Sequence, residues 1–239
     1  MRTTTLRPAA ADRTTRLLRL LELNDSALPV GAFSFSNGLE TAVAEGLVCD
    51  AGTLEDFTCD LTLQSAFTDG VAALHAHRAH RTGDYAQLLA TDRMLFGSRI
   101  NDEGRRMSCR MGRKLAELSA ALFDDALLGR WLADIAAAQT PGTHPVAQGA
   151  VFAACGATER ELFCSQQYGA ASLVLNAALR CVRVSHYDTQ RILFRLAERA
   201  GTLYAEAREL SIGEMHAFMP QLDILASLHE RGSQRLFMN

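Results

Sequence analysis

Ala170-Ala171-Ser172-Leu173-Val174-Leu175-Asn176-Ala177-Ala178-Leu179 is the run on which the fold turns. It lies in a segment that opens with Thr158-x-x-Glu161, the spacing of a capping box. There a hydroxyl caps the first turn and a carboxylate three residues on reaches back. The spacing predicts a helix over 159–182, and along 170–179 apolar side chains occupy every side of it. A helix apolar all round has to be buried all round. It is read as the central helix of an all-α, single-domain bundle of about ten helices.

Outward from this segment the periodicity stays helical. Gln139-Thr140-Pro141-Gly142-Thr143-His144-Pro145 is the clearest loop of the second half, and a helix over Val146–Ala154 follows it. Earlier come a helix around Trp131 (127–138) and one from Glu103 to Phe123 with Met107, Met111, Leu115 and Leu118 as its stripe. Another is capped by Asp84 and carries Tyr85, Leu88, Leu89 and Leu95. A long helix starts at Leu54 behind the box Thr53-Leu54-Glu55-Asp56, sets Leu54, Phe57, Leu61, Val71 and Leu74 on one face, and ends at Thr82-Gly83. Leu17, Leu18, Leu20 and Leu21 form a short helix, and Leu39–Gly46 another that Gly46 closes. Beyond the central helix, Asp188 caps 189–200, Ser211-x-x-Glu214 caps a short piece, and 221–231 is the last helix. No segment alternates as a strand would. Residues 1–15 are read as a disordered tail, 16–231 as the helical domain and 232–239 as a tail for docking a partner.

Twenty-four basic against 27 acidic residues give a net charge of −3, which lacks the basic footprint of a nucleic-acid or anionic-membrane surface. No apolar run approaches the roughly 18 residues of a membrane span. The six cysteines are scattered without a Cys-x-x-Cys pair, so they read as small buried groups in a reducing, cytoplasmic setting.

Two stretches break the helical pattern. Ser26-Ala-Leu-Pro29-Val-Gly31-Ala-Phe33-Ser34-Phe35-Ser36-Asn-Gly38-Leu-Glu40 combines Pro, Gly, Ser and Phe inside an alanine-rich chain. Pro29 fixes its own φ, while Gly31 and Gly38 allow angles or approaches that a Cβ forbids. Phe33 and Phe35 point to one side if the run is extended. Two readings stand: rings that plug the core, or a rigid loop that displays an aromatic to a partner. At the other end, Gln234-Arg235-Leu236-Phe237-Met238-Asn239 follows Gly232-Ser233. Its three apolar residues are either folded back or kept for another chain, and the second reading is preferred.

Chemistry-bearing residues do not assemble into a catalytic motif. His75, His77 and His80 invite a metal reading, but at about 100° per residue only His77 and His80 share a face. They are weak metal candidates, with solvated helix histidines as the plain alternative. No HExxH, phosphate loop or Gly-x-Ser-x-Gly elbow occurs. A rival reading is an all-α enzyme with His144 or His186 as general base in an interhelical pocket.

The pattern Leu28-Pro29-Val30-Gly31-x-Phe33-Ser34-x-Ser36-x-Gly38-Leu39-Glu40 resembles the signature of the urease accessory protein UreF family. Further pieces follow in the family's order: Glu103-x-Arg105-x-Met107-Ser108, Met111-Gly112, His144-Pro145, Gly149, Asp188, Gln190, His229-Glu230 and Arg235-Leu236-Phe237. Departures are Arg183-Val184-Ser185-His186, where many members have a Pro-Leu-Gly-Gln-like run, and Phe35, a position often held by Tyr. The resemblance implies a non-enzymatic, all-α homodimer that bridges UreD/UreH and the GTPase UreG, so that the complex handles nickel for apo-urease with no intrinsic cofactor. It also implies roles by residue: the loop residues Pro29, Gly31, Phe33, Ser34, Ser36 and Glu40 facing the GTPase; Arg235, Leu236 and Phe237 docking UreD/UreH; and Tyr168 in the dimer.

Overall fold

The computed structural model describes residues 12–25, 27–31, 35–216, 219–229 and 236–237, and all regular structure among them is helical. In chain order the helices are α1 (Arg13–Leu23), α2 (Leu39–Ala44), α3 (Ala51–Ser65), α4 (Val71–Thr82), α5 (Tyr85–Ser98) and α6 (Asp102–Leu122). Then come α7 (Ala126–Ala136), α8 (His144–Ala154), α9 (Glu159–Cys181), α10 (His186–Leu196), α11 (Ala200–Ala207) and α12 (Pro220–His229). None is long and apolar enough to cross a membrane.

Local chemistry explains most boundaries. Thr158 and Glu161 form the expected capping box of α9, and Asp84 caps α5. Elsewhere helices open about a turn early because a more N-terminal polar residue does the capping. Asp50 Oδ1 accepts from Thr53 N at 2.9 Å, so α3 starts at Ala51, not Leu54. Ser185 Oγ accepts from Asp188 N while Asp188 accepts from Ser185 N, so α10 starts at His186. Asp12 caps Thr15 N, which starts α1 within the stretch expected to be a tail. The long helix expected over 54–82 carries a π-helical turn at Ala66–Gly70 between α3 and α4. That turn brings Gly70 under the Phe163 ring, where an added Cβ would lie 2.8 Å from Cε2.

α9 is central, packing against α2, α3, α4, α8, α10 and α11. The closest helix pairing is α4 with α8, and glycine makes it possible. A Cβ on Gly149 would run into the Ala73 carbonyl oxygen and lie 2.8 Å from Ala76 Cβ. The main core lies among α4, α5, α6, α7 and α8, around fully buried Trp131, Leu88 and Leu115. A second gathers Leu39, Leu54, Val174, Ala178, Ile192 and Leu225 from α2, α3, α9, α10 and α12.

Burial of α9 on every side is not what forms. Cys164, Tyr168, Gly169 and Asn176 are exposed, while polar Gln166 and Gln167 are buried. Gln166 Nε2 donates to Ser65 Oγ at 2.6 Å and Gln167 Nε2 to Gln166 Oε1 at 2.8 Å. Satisfying these amides inside the fold makes their burial tolerable. The exposed strip borders a large cavity.

The Pro-Gly loop before α8 is held by one residue that sequence reading overlooked. Asp92, fully buried on α5, accepts from Thr140 Oγ1 at 2.6 Å, Gly142 N at 2.8 Å, and Thr143 N and Oγ1 at 2.8 and 2.6 Å. The loop backbone thereby presses against α6 at Gly112, where a Cβ would collide with the Gly142 carbonyl oxygen.

Candidate functional site

The opening loop divides between display and core. Pro29 is exposed, and Gly31, Asn37 and Gly38 take positive φ of 83°, 53° and 81°. Phe33 and Ser34 lie outside the described residues. Phe35 is buried in the main core beside Val30, so this ring plugs the interior. Ser36 is fully buried as well, which removes it from any surface the loop presents. Gly38 meets α12 closely: a Cβ there would lie 3.1 Å from Ala226 N.

The first residues of α2 lead from this loop to the tail. Glu40 Oε1 accepts from Leu236 N at 2.6 Å, and its Oε2 from Phe237 N at 3.2 Å. The same Oε2 is 3.0 Å from His229 Nε2 at the end of α12, and His229 Nδ1 is 3.0 Å from Glu103 Oε2 on α6. His229 is only 4% exposed. Burial works to raise the Glu40 carboxyl, but the Leu236 amide, His229 and the Phe237 amide outweigh it and hold it below its ordinary value.

The two described tail residues part company. Phe237, 6% exposed, is folded back into the second core with the Arg180 guanidinium 5.6 Å above its ring. The ring expected to dock a partner thus lies inside this chain's own core. Leu236 is 70% exposed. Arg235 lies outside the described residues. Leu236 thus faces solvent next to a neighbour held inside.

A cavity of about 910 Å³ lies between α1, the π turn, α6, α8, α9 and α12. Its walls include Gln64, Asp69, Arg99, His144, Ser172 and Asp223. Arg99 pairs with Asp69 at 2.7 Å, while the buried Gln64 Oε1, Arg99 Nε and Ser172 Oγ have no hydrogen-bond partner among the described residues. The lining is mixed, with Leu61, Met111 and Leu173 beside these polar groups, and a space this size next to unpartnered polar atoms has room for water. Burial, with the Arg99 charge adding to it, lowers the His144 pKa to about 4. Burial raises the Asp223 carboxyl against the opposing pull of Gln64 and Arg99. Among the described residues no hydrogen bond joins the His144 ring to a carboxylate, and His186 is exposed.

The three clustered histidines are not solvated, and each bonds to a different element. Fully buried His77 reaches the Ala157 carbonyl at 2.8 Å, His75 the Leu210 carbonyl at 2.9 Å, and His80 the Asp125 carboxylate at 2.9 Å. They act as pegs that lock α4 to its neighbours. No group of three metal-ligating side chains occurs among the described residues. Tyr168 is 48% exposed on α9 at the cavity mouth.

What sequence reasoning missed is convergence. Glu40, Glu103 and His229 each stood in a short motif, but His229 is 189 residues from Glu40 and 126 from Glu103. No local pattern reports a contact at that separation.

Among the described residues, then, the chain is a helical bundle with a glycine-kinked opening loop and with Leu236 and Phe237 tied to Glu40. The family model for UreF matches residues 48–197. The chain is 49% identical to the urease accessory protein UreF 2 of Brucella canis over 223 residues, covering 93% of this chain and 92% of that one. It is 42% identical to the urease accessory protein UreF of Photorhabdus laumondii over 224 residues, covering 94% and 98%. The corresponding Yersinia pseudotuberculosis protein is 40% identical over 223 residues, covering 93% and 98%. The chain belongs to the UreF family.

Proposed function

We propose that this chain is a non-catalytic scaffold in urease maturation, a cytoplasmic homodimer that bridges UreD/UreH and the GTPase UreG so that nickel reaches apo-urease. The observation that carries the reading is the tail, where Leu236 faces outward beside a Phe237 held in the core. Relatives named as urease accessory proteins along nearly their whole length support it. In this reading Leu236, with Arg235, meets UreD/UreH. Pro29, Gly31, Phe33 and Ser34 form the face towards the GTPase. Glu40 acts from behind by fixing the tail. Tyr168 belongs to the homodimer.

A pull-down with UreD/UreH as prey tests it. Leu236→Asp places a charge where an apolar contact is needed and should weaken capture by about tenfold or more, while changing stability by less than about 0.5 kcal/mol as surface substitutions do. Undiminished capture refutes the tail assignment. Tyr168→Asp should shift the light-scattering mass towards that of one chain, and an unchanged mass removes Tyr168 from the dimer.

One observation favours the catalytic alternative: His144, neutral at pH 7 with its pKa near 4, lines the same cavity as a carboxyl raised by burial. Retained urease activation by His144→Gln, measured as ammonia release after maturation, eliminates that alternative.

A further inference from the structure

We propose that His229 and Glu40 form a proton-controlled latch: a protonated His229 holds Glu40 in place to strap down Leu236 and Phe237, and loss of that proton loosens it. The argument begins with hydrogen-bond inventory. A neutral imidazole has one N–H, so it can donate to only one of two flanking carboxylates. Both ring nitrogens of His229 lie 3.0 Å from carboxylate oxygens, Glu40 Oε2 and Glu103 Oε2. Only the imidazolium donates to both. Without its proton, one contact becomes lone pair against lone pair, and two carboxylates face each other across an uncharged, buried ring.

The consequence reaches the tail because Glu40 has a second task. Its carboxylate is the acceptor for Leu236 N and Phe237 N. Phe237 adds a ring in the second core, whose walls include Leu39, Val174 and Leu225. The strap is thus held by one apolar plug and one carboxylate, and His229 sets the carboxylate's position. α12 packs against α2 and α6, and each supplies one of the facing acids, Glu40 and Glu103. From α9, the Cys181 thiol is raised mainly by burial and further by the Glu40 charge, and Arg180 stands over Phe237. The latch has two edges. The Glu40 carboxyl is depressed in the fold, so its contribution is present above its unfolded value and is lost as pH falls through the lower folded value. The other edge rests on the hydrogen-bond count at His229, whose neutral ring can donate to only one of its two acids.

Hydrogen–deuterium exchange of the full chain tests this. It is read at the Leu236 and Phe237 amides and normalised at each pH to a free synthetic peptide of residues 230–239. With His229 protonated, both amides should exchange about tenfold or more slowly than in the peptide, the weight of backbone hydrogen bonds to a charged acceptor. Raising the pH should erase that protection. Glu40→Gln, left with one uncharged acceptor oxygen, should lower it at every pH, and His229→Gln should make it independent of pH between about 5 and 8. Glu103→Gln leaves the strap's acceptor intact but removes one counter-charge of the imidazolium, so protection should be lost at a lower pH than in the wild type. Absent protection, protection unchanged or rising with pH in the wild type, or full protection in Glu40→Gln overturns the latch. If Glu40→Gln fails to fold, the wild-type profile and the Glu103→Gln shift decide.

Discussion

Asp92→Ala is expected to be among the most damaging single changes in this chain, although Asp92 lies on a helix with no motif around it. The side chain is fully buried and accepts four hydrogen bonds of 2.6–2.8 Å from Thr140, Gly142 and Thr143. Truncation leaves two backbone N–H groups and two hydroxyls without their acceptor. A buried donor left unmade costs roughly 1–3 kcal/mol, and hydroxyls can turn towards other acceptors more easily than a fixed amide can. Counting mainly the two amides, with a smaller contribution from the hydroxyls, gives about 4 kcal/mol. At roughly 2–4 °C per kcal/mol for a chain of this size, Tm should fall by about 8–16 °C. Urea unfolding followed by circular dichroism is the assay, with the slope m compared between variants so that a change in midpoint reports stability. Asp92→Asn keeps the shape and one acceptor oxygen and should lose about half as much. A loss below about 1 kcal/mol for Asp92→Ala would refute the reasoning that this carboxylate organises residues 139–143.

Other expected outcomes bear on packing and on the cavity. Gly149→Ala pushes a methyl into the α4 backbone at Ala73 and should cost about 2–3 kcal/mol. Gly97→Ala, in α5 with no atom near the added carbon, should instead gain up to about 1 kcal/mol; the pair is read by thermal melts. His144 is held neutral, with a folded pKa of about 4 against about 6.5 unfolded. A group with a lowered folded value binds fewer protons folded than unfolded, so its share of stability is complete above about 6.5 and falls away as pH drops towards 4. At about 1.4 kcal/mol per pH unit between those two values, the loss stays at or below about 3 kcal/mol. His144→Gln should flatten that limb of the stability profile, measured by urea midpoints from pH 7 to pH 4.

The helical architecture is legible in the sequence because its causes are local. Leu54, Leu74 and Val174 fall on helical faces by spacing alone, and Thr158 with Glu161 announces α9 because capping acts within one turn. Where the reading slipped at α3 and α10, the competing signal was also local: Asp50 and Ser185 cap better than the residues chosen. The family resemblance was legible for a related reason, since ordered short motifs survive as text. The histidines read less well. His77 sits in an Arg- and His-rich helix that looks solvated, yet α8 and α9 cover that side, and helix periodicity carries no record of what covers a face.

By itself the sequence determined the helices, their caps, the kinked loop and the lack of a local catalytic motif, because each depends on residues within a turn or two of one another. Only the tertiary structure decided that Asp92 gathers a loop some fifty residues away. Only it decided that α9 leaves one strip open to a cavity, and that Phe237 turns inward while Leu236 turns out. It also brought Glu40 and Glu103 to opposite nitrogens of the His229 ring, each 3.0 Å away. Charges and hydrogen bonds act over a few ångströms of space, whatever the distance along the chain, so these contacts exist only once the helices have packed.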